Sequence, residues 1–437
     1  MPTILFVTCH LPYPLISGGR RREYELLTRL ARRFRVHLVA VTKTYGEDVE
    51  NSIVFEDTCE SVTVLPAVMS GAKRDPLQVR KHSCPAATAT IDRLIADHDV
   101  DVVHVEGFYM LQHIPPSASV PVFLQEQNIE YLLWKQRATQ SEDADDRAAC
   151  LWEYFATLEA ETRAWERADL CGALTHEDVD VMQAPLPRGK VRLVPDGFDH
   201  LGRATEIGAG EDRAAARRVR RRLRTSDPEA VVFVGNFAYQ PNIDAARYLV
   251  EDIWPYVTHH RPDTKLILVG NSPPREIESL AKKMSSVEVT GRVPDVTPYL
   301  DLADLFVCPL RIGGGIKVKV LEALCRGKAI VTTSVGAQGI ERASSAMVVE
   351  DDPHDFARAM VRLLRSDDAR RTLEKRAAAR ASLLPTWDDA AEALMSAYET
   401  LLRTDAAPGR PAGGASTFPD PARPTGRPGS RARRRDA

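Results

Sequence analysis

FVCPLRIGGGIKVKVLEALCRGKAIVTTSVGAQGIE, residues 306–341, reads as a strand, a glycine loop, a helix and a second strand. The apolar run 305–308 has strand length, and Pro309 ends it. Gly313, Gly314 and Gly315 follow, where backbone free of side chains can come close to a ligand. A helix is expected to begin near Lys317. Helix N-termini carry unpaired N–H groups and partial positive charge, so these glycines with Arg311, Lys317 and Lys319 make an anion site suited to a diphosphate. Glu322 lies five residues beyond Lys317. A carboxylate there does not favour phosphate, but it accepts hydrogen bonds from the vicinal hydroxyls of a ribose. Phosphate and ribose together suggest a nucleotide. The plainer reading of the same residues is a glycine turn in a doubly wound sheet, its lysines merely solvated.

Working outward, a chain of 437 residues exceeds what one hydrophobic core organises and predicts two domains, each of roughly 150 to 200 residues. Its 44% hydrophobic content is ordinary for a globular protein, and a formal net charge of -3 gives no global pull toward nucleic acid. Seven cysteines (Cys9, Cys59, Cys84, Cys150, Cys171, Cys308 and Cys325), scattered and without a CxxC pair, predict reduced thiols in a cytoplasm and no zinc site. The opening MPTILFVTCHLPYPL lacks a basic leader and is broken by His10, Pro12 and Pro14, so it reads as a first strand. No apolar run approaches the roughly 18 residues of a membrane span, which leaves peripheral contact as the only membrane contact expected.

In the first half, strands are expected at 4–9, 36–41, 62–65, 122–124, 170–174 and 191–194, with another inside DVDVVHVEGFYM, residues 99–110. Gly18 and Gly19 form a second glycine loop before an amphipathic helix. Arg20, Arg21 and Arg22 at that loop meet a phosphate or an anionic acceptor, or else form a solvated basic face. Asp99 and Asp101 precede their apolar run, where they cap a strand's entry, and so are not read as metal ligands. His104 and Glu106 share one face of that strand near its C-terminal end, the end that opens on the crevice of a parallel sheet. A lone histidine there is as often a core residue as a functional one. Glu126, Asn128 and Glu130 stand at the next strand's exit. Helices are expected at 85–96 and 148–167, the aromatics of the second (Trp152, Phe155 and Trp165) reading as core. PDGFD, residues 195–199, reads as a tight turn that ends the domain.

The stretch 201–229 is strongly basic and poorly patterned, and reads as a linker whose charge also suits an anionic lipid surface. The second half alternates strands (231–235, 266–269, 287–290, 305–308, 329–332 and 347–349) with helix-length segments, as a parallel sheet requires. Gly235, Gly270, Gly291 and Gly313 all follow strand ends, which implies backbone lining one crevice. An amphipathic helix is expected at 386–402, and a disordered Pro, Gly and Arg-rich tail after it.

In order and spacing, FVGN...PNIDAA, LVGNSPP, VTGRVPDV, VCPLRIGGG, KVKVLEALCRGKAIVTT and GAQGIE resemble the family-four retaining glycosyltransferases, in particular bacterial exopolysaccharide-type sugar transferases. The resemblance covers residues 4–402 and implies the α/β GT-B fold: two facing Rossmann-like domains with the active site between them and a C-terminal helix crossing back. The implied division is an acceptor domain at 1–200, a linker at 201–229, a nucleotide-sugar donor domain at 230–384, a crossing helix at 385–404 and a tail at 405–437. By position, Glu322 matches the ribose-binding Glu of the family's E-x7-E motif, and Gly314 stands where the first Glu is commoner. Asn236 and Asn242 stand where many relatives have an Arg and a Lys on the diphosphate, with Arg311, Lys317 and Lys319 left to supply that charge. Val293 matches the loop whose backbone reads the base. Glu106 falls where many relatives have a His close to the reacting sugar, with His104 two residues earlier, so both are candidate catalytic residues. The implied reaction moves a sugar from a nucleotide diphosphate donor to a glycan, lipid-linked or small hydroxyl acceptor with retention, and needs no metal or other cofactor. A nucleotide-sugar 2-epimerase-like isomerase and a non-catalytic nucleotide-sugar binding protein share this architecture and stay open as alternatives.

Overall fold

The computed structural model describes residues 1–201 and 229–405. Apart from their boundary residues, the basic linker expected at 201–229 and the tail expected at 405–437 lie outside the described residues. Two parallel sheets organise the rest. The first comprises β1 (Thr3–Thr8), β2 (Arg35–Thr42), β3 (Ser61–Pro66), β4 (Val102–Glu106), β5 (Val122–Gln125), β6 (Leu170–Ala173) and β7 (Val191–Leu193), in the order β3-β2-β1-β4-β5-β6-β7. The second comprises β8 (Ala230–Val234), β9 (Lys265–Val269), β10 (Val287–Val289), β11 (Leu305–Cys308), β12 (Ile330–Thr332) and β13 (Val348–Val349), in the order β10-β9-β8-β11-β12-β13. Helices cover both faces, so inner strands such as β1 and β11 are buried throughout and read as continuous apolar runs without alternation.

Strand order reverses at β1/β4 in the first sheet and at β8/β11 in the second. Crevices at the C-terminal ends of such strand pairs are where open parallel sheets take ligands. The four exits concerned carry Gly18, Glu106, Gly235 and the glycine loop at 313–315. All four of the segments singled out in the sequence therefore sit at switch points.

Several elements depend on residues remote in sequence. The helix Gly18–Leu30 starts at an N-cap, Ser17, whose hydroxyl accepts from Arg20 N–H, so Gly18 and Gly19 form its first turn and do not precede it. The helix Glu130–Gln140, absent from the sequence reading, begins where the buried Glu161 carboxylate accepts from the N–H groups of Glu130 (2.9 Å) and Tyr131 (3.0 Å). Its N-terminal cap is thus supplied by another helix, Ala144–Arg167, which no local pattern could show. Asp101 accepts from Thr3 N–H at 2.7 Å and so ties β4's entry to β1.

The final helix, Trp387–Asp405, packs on the first sheet and not on the second. Trp387, Ala390, Ala391, Leu394, Ala397, Tyr398 and Leu401 make one buried stripe against residues such as Phe6, Phe34 and Phe123. Where the chain returns, two segments are stitched together. Phe198 N–H donates to the Pro385 carbonyl at 2.9 Å, Trp387 N–H to Asp199 at 2.8 Å, and the Trp387 indole to His200 at 3.0 Å. Gly197 is squeezed into this joint, since a Cβ there would lie 2.2 Å from the Trp387 nitrogen. Gly197→Ala must displace backbone and is expected to lower the unfolding free energy by about 1–3 kcal/mol in urea titrations. An unchanged midpoint would show that the joint yields freely.

Candidate functional site

A cleft of about 390 Å³ opens between the two sheets' switch points. From the first domain it is lined by Ser17, Gly18, Arg21 and Asp196, and from the second by Val296, Thr297, Val318, Glu322 and Arg326. Two helix N-termini meet at its edge, because a Cβ built on Gly18 would touch Val318 Cγ2 at 3.7 Å. Val318 opens the helix Val318–Cys325, with Lys317 as its N-cap. Both ends direct unpaired N–H groups and partial positive charge toward the same gap. Glu322 faces the cleft half-buried; burial raises its pKa, against the pull of Lys319 and Arg326. Val293 lies half-buried against the second core, three residues before the cleft-lining Val296.

The glycine loop is outside this cleft, covered by the first domain. Gly313 N–H donates to Gln136 Oε1 at 2.9 Å, and Gln140 Nε2 donates to the Arg311 carbonyl at 2.6 Å. A Cβ on Gly314 would lie 2.8 Å from Leu133 Cδ2, and one on Gly315 2.7 Å from Asn128 Oδ1. Gly315 also holds a φ of 60°, which a side chain resists. Beneath the loop, Lys317 Nζ donates to the carbonyls of Gly314 (2.9 Å) and Gly315 (2.6 Å), and burial lowers its pKa to about 8. Lys319 Nζ donates to Asn242 Oδ1 at 2.5 Å and lies 4.9 Å from the centre of the Phe233 ring; burial lowers its pKa too. Asn242 in turn donates to the Asn236 carbonyl at 2.8 Å, while the Asn236 side chain caps Ala238 N–H. Gly235 is buried against Asn242.

Three expected cations are otherwise engaged. Arg311 forms a two-pronged pair with Asp244 (2.5 and 3.0 Å) and stacks over Tyr248, so its charge is neutralised outside the loop. Arg20 is paired with Asp48, and Arg22 with Asp196 and the Val194 and Pro195 carbonyls. Of the three arginines in the first helical turn only Arg21 reaches the cleft. The others serve as internal counter-ions that hold the first helix to its domain.

His104 and Glu106 lie deeper than their strand positions suggested, at 0% and 1% exposure. His104 stacks on Phe6 at 4.1 Å and joins Glu106 Oε1 through Nε2 (2.9 Å) and the Tyr398 hydroxyl through Nδ1 (2.6 Å). Burial first, and the Glu106 charge second, push the Tyr398 pKa well up, so the phenol keeps its proton and donates. Burial alone would raise Glu106, but the hydrogen bond from His104 outweighs it and holds the carboxyl below its usual range. Its second oxygen accepts from Gln127 Nε2 at 3.0 Å, and the same amide donates to Glu23 at 3.0 Å. Glu23 accepts from Thr8 at 2.7 Å and lies 3.1 Å from His10 Nε2, an ion-pair distance at an angle too poor for a hydrogen bond. Burial alone would lower His10; Glu23 and Cys9 instead raise its pKa well above the ordinary value. Glu106 and His104 are thus members of a buried, paired polar chain, and neither presents a surface to solvent. Gln127, Glu23, His10 and Tyr398 are the members the sequence reading missed.

Two facing parallel α/β domains, a helix that returns to the first and a cleft between their switch points define the GT-B architecture. Sucrose-phosphate synthase from Thermosynechococcus elongatus superposes over 92% of this chain and 100% of its own, with a TM-score of 0.69 and 19% identity. HepE of Anabaena, solved in complex with UDP, superposes over 91% of this chain and 100% of its own, with a TM-score of 0.65 and 15% identity. Residues 228–366 match the model of the glycosyl transferases group 1 family. A protein of the cps region of Klebsiella pneumoniae, itself uncharacterised, is 26% identical over 139 residues, 30% of this chain. The matched part spans 36% of that relative's length. Among the described residues no helix is long and apolar enough to cross a membrane.

Tyr398→Phe removes the donor that fixes His104. The loss of one buried hydrogen bond is expected to lower the unfolding free energy by about 1–2 kcal/mol, read from thermal or urea unfolding. No change would mean that His104 is held by its stacking alone.

Proposed function

We propose that the chain is a retaining glycosyltransferase that takes a glycosyl group from a nucleoside diphosphate sugar and passes it to a hydroxyl of a glycan, lipid-linked or small acceptor. The observation that carries this reading is the meeting of two helix N-termini, at Gly18 and Val318, beside Glu322, Lys317 and Lys319. Glu322 takes the ribose hydroxyls, the loop from Val293 to Thr297 faces the base, and the diphosphate lies against the N-termini. Lys317 turns from the loop carbonyls to the diphosphate as it leaves, and with Lys319 supplies the charge that a metal would otherwise bring. Leaving-group departure creates oxocarbenium-like charge on the sugar, and the donor's own phosphate oxygen takes the acceptor proton, so the retention proposed here requires no exposed carboxylate pair. The Glu106 network fixes the floor beneath the acceptor. A reducing, cytoplasmic setting is supported by seven cysteines that form no disulfide among the described residues, six of them buried.

Thermal-shift titration with UDP, GDP, ADP and TDP in excess chelator tests the donor site, because a ligand bound only by the folded protein raises its apparent stability. One diphosphate is expected to raise Tm without metal, and the absence of any shift sinks the reading. Lys317→Ala should weaken that diphosphate about ten- to a hundredfold, the usual loss of a charge-assisted hydrogen bond. Donor affinity left intact by both Lys317→Ala and Lys319→Ala would remove the lysines from the site.

The pH dependence has a definite sign. Lys317 is charged below its pKa of about 8 and neutral above it. Diphosphate affinity should therefore be full at neutral pH and fall as pH rises through that value, and calorimetry on Lys317→Met should show the step flattened. Affinity rising with pH would contradict the assignment.

A further inference from the structure

We infer that the joint between the domains holds a second ligand site, away from the donor cleft, for a small anion that carries an aromatic ring or a short apolar chain. This site does not depend on the nucleotide-sugar reading. Two adjoining cavities form it. One is a slot of about 140 Å³ whose walls include Leu174 and Leu193 from the first domain, Ile316 and Ile340 from the second, and Phe198 and Leu384 from the segments that join them. The other is an open groove of about 570 Å³ lined by Arg342, Arg376 and Arg380. Glu341, Arg380 and Leu383 line both, so slot and groove meet there. Phe198 also lines the donor cleft, and the joining segment at Phe198 thus parts the slot from it.

An apolar cavity of about 150 Å³ admits a benzene ring, and the slot is close to that size. Leu383, where slot and groove meet, is 70% exposed, apolar surface that a seated ring removes from water. In the groove the deficit is of negative charge. Arg380 donates from Nε to the Glu341 carbonyl at 2.9 Å, and its Nη2 stands 3.7 Å from the Glu341 carboxylate, which also lies 3.0 Å from His176 Nε2 of the first domain. Glu341 is therefore engaged from both domains, and Glu177, the other acid at the slot, is exposed to solvent. Arg342 and Arg376 are exposed too, and neither guanidinium has a hydrogen bond or ion pair among the described residues. Forked, unpaired cations beside an apolar slot match a carboxylate or phosphate joined to a ring, the forks taking the oxygens while the ring enters the slot. A bare ion leaves the slot empty, and a neutral ring leaves the arginines unpaired. A ligand seated in this way touches both domains and the segments between them, and so favours the domain placement that supplies all of these contacts.

The wild-type full chain is titrated calorimetrically with phenyl phosphate and phenylacetate, and alongside them with inorganic phosphate, acetate and benzyl alcohol. One ring-bearing anion is expected to bind about tenfold or more tightly than its bare ion and than benzyl alcohol, and which of the two does so tells phosphate from carboxylate. The double variant Arg342→Gln with Arg376→Gln should weaken it about tenfold with Tm unchanged, because both side chains are exposed and unpaired. Leu383→Asp, at an exposed position, should weaken it about threefold or more. Binding of neither ring-bearing anion overturns the inference, and so does a bare ion that binds as tightly, since the slot would then be unused. Unchanged affinity in the double arginine variant also overturns it, and loss on Lys317→Ala instead would place the probe in the donor cleft.

Discussion

No side chain fits between the first domain and residues 313–315, and the placement of the two domains follows from that constraint. Leu133 and Asn128 already occupy the volume over Gly314 and Gly315, so the interface here is amide against backbone. Gln136 and Gln140 reach it only because their helix starts where it does. That start depends on Glu161, fully buried in the long helix Ala144–Arg167 and spent on two backbone N–H groups. Burial, reinforced by the nearby Glu126 charge, pushes the Glu161 pKa well above the usual carboxylate range. The protein thus places an ionisable group at an unfavourable depth, and the helix it caps is the one that holds the glycine loop. A cost in one domain fixes geometry in the other.

A second dependence runs from the chain's far end. Tyr398 on the returning helix reaches His104, His104 reaches Glu106, and Glu106 shares Gln127 with Glu23 beside the first helix. Each polar atom named is paired, which is what keeps so polar a chain tolerable inside a core of Phe6, Phe34 and Phe123. The crevice floor is therefore complete only with residues 387–401 packed on the first sheet. A helix that follows the second domain thus completes the core of the first.

Much of this was legible locally and some could not have been. Buried parallel strands are continuous apolar runs, so β1, β4 and β11 announced themselves in a few residues. The glycine loop, Lys317 as helix start and Glu322 inside the cleft were likewise written within one short stretch. Period-two alternation told correctly that His104 and Glu106 share a face, but it carries no information on depth, and a closing helix beyond residue 386 buried them. Arg20, Arg22 and Arg311 looked like free cations because their partners Asp48, Asp196 and Asp244 are remote or unpatterned in sequence. Tyr398 lies 294 residues from the histidine it serves, a separation at which only tertiary structure speaks.

The unusual residues around the loop make sense together more than singly. Asn242 accepts from Lys319 at 2.5 Å; a lysine in that place would set two ammonium groups against each other over the Phe233 ring. Asn236 holds Asn242 through its carbonyl, so the pair forms a neutral mount for one buried cation. A carboxylate at 314 would have to enter space held by Leu133, above the Lys317 amine that already satisfies itself on the carbonyls of Gly314 and Gly315. With Gly314, Asn236 and Asn242 all uncharged, Lys317 and Lys319 are the charged side chains packed against the loop among the described residues. Burial makes both hold their protons less tightly than a surface lysine does. Neutral partners and two desolvated amines thus set the electrostatics of the loop.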